Sequence, residues 1–187
     1  MRNKCITVLA LLLCGVLLFG FSGCGKEDNP TTGSTTDKTD YNAPKEIKSK
    51  DIIDFYATFC LAGEWTKGEE SLQYEFEVKK DSKGKYTASE STVGIVAPAD
   101  ETLLKSLQDI IDRFNLVKDN GVYKVTAGLA PECRECSLDV YYKSGESLKF
   151  TKNNDPYAQW EQEMYMTFAD WFAEKGDESL IPPETTS

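Results

Sequence analysis

Cys133 and Cys136, in the stretch CREC, stand at the CxxC spacing used for redox exchange and for metal binding. In a redox site of this spacing the first cysteine sits at a helix N-terminus, where the dipole stabilises its thiolate. Here the motif runs into SLDVYY, a strand-like sequence, and Glu132 and Glu135 bring negative charge that raises a nearby thiol pKa. Cys60 is the third thiol available to bridge, to resolve a mixed disulfide or to ligate a metal. A structural zinc site takes four protein ligands, usually from a second CxxC or from histidines, and this chain has 0 histidines. The same absence removes Ser-His-Asp, Cys-His and HExxH chemistry, so catalysis would fall to carboxylates, Lys, Tyr or Cys. Glu75 and Glu77 lie two apart in a strand-like run, which sets their carboxylates about 6 to 7 Å apart, a separation that overlaps glycosidase pairs. Nothing beside them signals the burial that splits two carboxyl pKa values, so a solvated sheet face accounts for them. No cofactor is expected, and no enzyme.

The elements that must position these groups follow from periodicity. Ile53, Phe55, Ala57, Phe59 and Leu61 alternate as one apolar face of a strand, with Tyr56, Thr58 and Cys60 on the other. Leu72, Tyr74, Phe76 and Val78 alternate with Gln73, Glu75, Glu77 and Lys79, which predicts a sheet with one wet face. Tyr86 to Val93 returns as a third strand after the KDSKGK turn. Leu103, Leu104, Leu107, Ile110, Ile111 and Phe114 then recur at helical spacing, with Asp100 placed to cap and Asn115 to terminate in a left-handed conformation. A DNG turn precedes a short strand at Val122 to Thr126. A hairpin follows through KSGE, joining Leu138, Val140 and Tyr142 to Leu148 and Phe150. NNDP starts a last helix, with Asp155 as its cap and Tyr157, Trp160, Met164, Phe168 and Trp171 along one face. The expected fold is α+β, an antiparallel sheet of about five strands covered on one face by two helices.

Ahead of this domain, Arg2 and Lys4 precede an uncharged run from Ile6 to Phe21, the layout of a secretory signal. The run is short for a membrane span and ends in the small residues Ser22 and Gly23. Phe21-Ser22-Gly23-Cys24 resembles the lipobox of bacterial lipoproteins, although Phe21 stands where Leu is usual. That resemblance implies cleavage before Cys24, diacylglyceryl modification of its thiol and a place on the outer face of the cell membrane. Two acyl chains hold a protein where one is marginal. The expected organisation is then a signal over 1–23, a lipidated cysteine and polar tether over 24–46, one domain over 47–174 and a disordered tail over 175–187. The order of helix, NG turn, LDVYYKSGES hairpin, NNDP and aromatic helix also resembles uncharacterised surface lipoproteins of anaerobic Gram-positive bacteria, a likeness of architecture that lends no catalytic residue.

Without residues 1–23 the chain carries 19 basic against 31 acidic residues, a net charge of −12, which repels phosphate backbones and argues against nucleic acid as a partner. Tyr56, Tyr141 and Trp65 fall on the wet sheet face or its loops, among Thr58, Gln73, Glu75 and Asp139. Aromatic and hydrogen-bonding groups on one rigid sheet suit contact with a protein, a peptide or a wall polymer. The leading expectation is a membrane-anchored, non-enzymatic binding module; the alternative is a thiol-dependent redox or metal-binding protein that uses CREC and Cys60.

Overall fold

The computed structural model describes residues 33–61 and 73–182. Cys24, Trp65 and Leu72 lie outside the described residues, as does the whole of the signal and lipobox.

Among the described residues the fold is one open sheet of eight strands and two α-helices. The strands are β1 (Thr35–Asp37), β2 (Ile52–Cys60), β3 (Gln73–Lys80), β4 (Tyr86–Glu90), β5 (Ile95–Ala99), β6 (Tyr123–Thr126), β7 (Cys136–Tyr142) and β8 (Ser147–Lys152); the helices are α1 (Glu101–Arg113) and α2 (Gln159–Glu174). Their order across the sheet is β1-β6-β8-β7-β2-β3-β4-β5. The class is α+β as the sequence indicates, but the sheet is larger than the five strands expected and is mixed, because β6 runs parallel to β8. The two strands the periodicity missed are the edges. β5 follows β4 through a turn at Gly94, whose φ is +79°, and contains Pro98, which is tolerated on an edge where a missing N–H breaks no ladder. β1 reads Thr-Thr-Asp, with no apolar residue to mark it.

β1 lies inside the stretch expected as tether. Gly33 donates to the Ala127 carbonyl at 2.8 Å, Lys38 to that of Tyr123 at 2.8 Å and Asp40 to that of Gly121 at 2.8 Å. Asn120 then holds the strap from within, its Nδ2 donating to the carbonyls of Pro44 at 2.8 Å and Ser147 at 3.2 Å while its Oδ1 accepts from Lys149 N. Folded structure therefore begins by Gly33 rather than at residue 47. At the other end, Leu180 is buried and its carbonyl accepts from the Tyr165 hydroxyl at 2.5 Å, so the chain stays packed beyond Lys175, where fraying was expected.

The helices cover the face to which Phe55, Phe59, Phe76, Val78, Leu138, Val140 and Phe150 point. Phe168 of α2 lies with its ring 4.4 Å from that of Phe76 and 5.9 Å from that of Phe55, and Trp160 meets Phe59 edge-on at 5.9 Å. Full burial of such a ring stabilises the fold by roughly 2 to 3 kcal/mol. Asp100 caps α1, accepting from Thr102 N at 2.7 Å, and Asn115 ends it at φ 49°, both as the sequence indicates. α2 starts later than expected: its cap is Ala158, Asp155 instead accepts from Tyr157 N at 3.2 Å in the preceding turn, and Tyr157 is exposed rather than packed on the helical face.

Candidate functional site

Cross-strand register fixes which side chains share the outer face, the one away from the helices. Tyr56 on β2 pairs with Glu77 on β3 and Asp139 on β7; Asp54 pairs with Lys79 and Tyr141; Thr58 pairs with Glu75 and Ser137. Asp139 in turn faces Lys149, and Tyr141 faces Ser147, on β8. The residues singled out from sequence on these strands thus form one lattice, with Tyr56 at its centre.

The lattice is bonded as well as aligned. Lys149 Nζ donates to the Tyr141 hydroxyl at 2.5 Å and lies 4.3 Å from its ring centre, Thr58 and Ser137 hydroxyls meet at 3.0 Å, and Lys79 pairs with Glu77. Burial raises the pKa of Tyr56, and the carboxylates of Glu75, Glu77 and Asp139 add to the shift. Burial also raises Asp139, against the pull of Lys149, and raises Asp54, against Lys79. Four carboxylates face two lysines here, so the lattice carries a negative potential around two phenols. Glu75 and Glu77 do share this face, at its solvated side, with Glu75 exposed.

Beyond Thr58 the lattice runs into a cleft of about 480 Å³ lined by Thr36, Cys60, Gln73, Val125, Pro131 and Arg134. β1 and β6 form one wall, and the 3-10 turn Pro131–Cys133 forms another. That turn is pinned by two asparagines of NNDP. Asn154 accepts from Cys60 N at 3.1 Å and donates to the carbonyls of Cys60 at 2.8 Å and Glu132 at 2.7 Å, while Asn153 donates to the Arg134 carbonyl at 2.9 Å.

The three cysteines lie on or beside this turn, Cys60 with its thiol 3.8 Å from the Pro131 carbonyl and Cys136 with its thiol in the helix-facing core, and among the described residues all three are free. Burial pushes Cys60 up to about 11, with Glu161 and Glu132 adding to it and Arg134 opposing. Cys136, the first residue of β7, is raised further by burial and by Glu161. Neither environment makes a nucleophilic thiolate at neutral pH. The CxxC leads into a strand as its sequence suggests, and no helix N-terminus serves Cys133, which lies in the 3-10 turn. Among the described residues no group of three or more Cys, Asp or Glu converges to hold a metal ion.

Sequence reasoning missed the buried polar pair beneath the cysteines. Glu161 is 1% exposed; burial raises its carboxyl to about 9 while the Cys136 thiol pulls the other way, and its Oε2 has no hydrogen-bond partner among the described residues. Glu161 occupies an inward position on α2, and an acidic residue directly after Trp160 on an apolar helix face was the available signal. Family models, curated proteins and solved structures were all compared with this chain, and none matches.

Proposed function

We propose that this chain is a membrane-anchored extracytoplasmic lipoprotein whose outer sheet face is a non-enzymatic binding surface for an extended protein or peptide segment carrying basic residues. The lattice of Tyr56 and Tyr141 among Asp54, Glu75, Glu77 and Asp139 carries the reading. Tyrosines supply contact area at small entropic cost, and the surrounding carboxylates favour cationic side chains and penalise anionic ones. The cleft at Cys60 and Gln73 gives such a segment an end point.

The anchor is read from Phe21-Ser22-Gly23-Cys24 and carries a geometric consequence. Eight residues separate Cys24 from Gly33, nine Cα–Cα steps with a contour of at most about 30 Å. Gly33, which donates to the Ala127 carbonyl just past β6, enters the sheet at its Cys60 end, so on this reading that end lies nearer the point of attachment.

Two variants test the reading separately. Cys24→Ala is expected to release the protein from the membrane fraction; retention there after signal removal would overturn the anchor. Tyr56→Ala with Tyr141→Ala is expected to weaken binding to lysine- and arginine-containing peptides at least about tenfold, as loss of buried aromatic anchors does. Equal binding by that variant, or equal binding of acidic and basic peptides, would overturn the surface.

A further inference from the structure

The opposite end of the sheet holds a site of contrary charge. A cleft of about 230 Å³ opens where the first residues of β2 and β4 meet the first turn of α1. Ile52, Ile53 and Leu104 give it apolar walls, and Lys50, Lys80, Lys105 and Lys143 line it from four separate segments. We propose that this cleft binds a phosphate ester, its anionic group on the lysines and its organic part against the apolar walls.

The chain as a whole has a net charge of −10, yet the residues lining this cleft include four lysines against two acidic residues, Asp51 and Glu101. Lys50 is engaged by Asp112 at 2.6 Å. Among the described residues Lys80, Lys105 and Lys143 form no ion pair, although acidic side chains outnumber basic ones over the molecule. Like charges gathered without neutralisation repel one another, and a multiply charged anion turns that cost into attraction.

The frame of the cleft is fixed. Lys143 N donates to the Asp51 carbonyl at 2.9 Å, which ties the end of β7 to the start of β2. The Tyr86 hydroxyl donates to the Ile52 carbonyl at 3.4 Å, and Lys80 rests 4.9 Å from the Tyr86 ring centre, at the rim. Each ammonium offers three donors, so a phosphate with three terminal oxygens and up to two charges collects more of them than a carboxylate does. The N-terminus of α1 contributes little, because Asp100 and Glu101 already occupy its positive end.

None of these residues belongs to the tyrosine lattice, so failure here leaves the binding surface untouched, and the reverse also holds. The site does bear on the anchor. β2 is nine residues long, about 30 Å, and separates this cleft from the end where Gly33 enters the sheet. On an anchored protein the lysine cleft is thus at the end farther from the attachment point, open to soluble or wall-borne phosphate esters.

Titration of the soluble chain from Gly25 onward with phenyl phosphate, followed by amide NMR, tests the proposal. Saturable shifts are expected around Ile53, Tyr86, Lys105 and Lys143, with weaker binding of benzoate and of inorganic phosphate. Lys105→Ala with Lys143→Ala is expected to weaken binding by about fivefold or more, while the control Lys118→Ala with Lys124→Ala stays within about twofold. Absence of shifts at about 20 mM ligand, or equal losses in the two variants, would overturn it. Flotation of the same soluble chain with vesicles containing phosphatidic acid, whose headgroup is a phosphate monoester, separates the sources. Capture abolished by the Lys105 and Lys143 substitutions would assign the cleft to lipid headgroups and overturn its membrane-distal placement, whereas no capture supports a soluble or wall-borne ester.

Discussion

Tyr56 on β2 and Asp139 on β7 are register partners on the outer face of the sheet, and burial raises the pKa of both. A phenol held between carboxylates keeps its proton, which Tyr56 shares with Glu75, and because four carboxylates face two lysines the surface still needs positive charge. Lysine and arginine side chains of a partner meet that need, and their attraction falls with added salt.

Glu161 makes the fold pH-dependent. Below pH 4.5 its carboxyl is neutral in both the folded and the unfolded chain and costs nothing. Between 4.5 and about 9 the unfolded chain ionises it and the folded chain does not, so stability falls with every unit of pH and the loss is complete above about 9. By pH 7 this amounts to something on the order of 3 kcal/mol. Glu161→Gln keeps the shape without the proton, so urea unfolding between pH 5 and 8 is expected to show a falling stability in the parent chain and a flatter profile in the variant. Parallel profiles would contradict the assignment.

Gly121 fastens the strap that carries β1. Its φ is +81°, and a Cβ there would stand 2.4 Å from Ala43 Cβ and 2.5 Å from the Asp40 carbonyl oxygen. Gly121→Ala is expected to cost more than about 2 kcal/mol, combining a left-handed alanine with backbone overlap. Hydrogen exchange should find the Lys38 and Asp40 amides losing protection first. Unchanged protection would mean that β1 does not depend on this close approach.

The thiols should sort by burial. Cys60 and Cys136 are buried and Cys133 is half-buried, so iodoacetamide at neutral pH is expected to label Cys133 in the folded protein and the other two only after unfolding. Peptide mapping after a timed pulse reads this directly. Fast labelling of Cys60 would favour the alternative, a thiol-dependent function, over the binding surface.

Much of the core was legible in the sequence because its signal is periodic: the alternation of Phe55, Ala57 and Phe59 and the spacing of Leu103, Leu107 and Ile110 survive in the fold. The face of Tyr56, Thr58, Glu75 and Tyr141 followed from the same alternation, since the side opposite a buried face is fixed once the core side is known. β1 was invisible because its three residues bury no apolar group; it forms only because β6 offers backbone partners from far along the chain. The late start of α2 escaped because NNDP carries cap residues whose side chains and backbone serve other turns, Asn154 at Cys60 and Asp155 at Tyr157. The lysine cleft depends on segments brought together only by the fold, which no local pattern encodes, whereas Glu161 left one local sign, an acidic residue beside Trp160 on an apolar helix face.

The most direct measurement is amide chemical-shift mapping on the soluble chain from Gly25 onward, titrated with an extended lysine- and tyrosine-containing peptide at low and at physiological salt. The account predicts saturable shifts on Tyr56, Glu77, Asp139 and Tyr141, reaching toward Cys60, that weaken as salt rises and vanish in Tyr56→Ala with Tyr141→Ala. Shifts elsewhere on the domain with this lattice silent would contradict it.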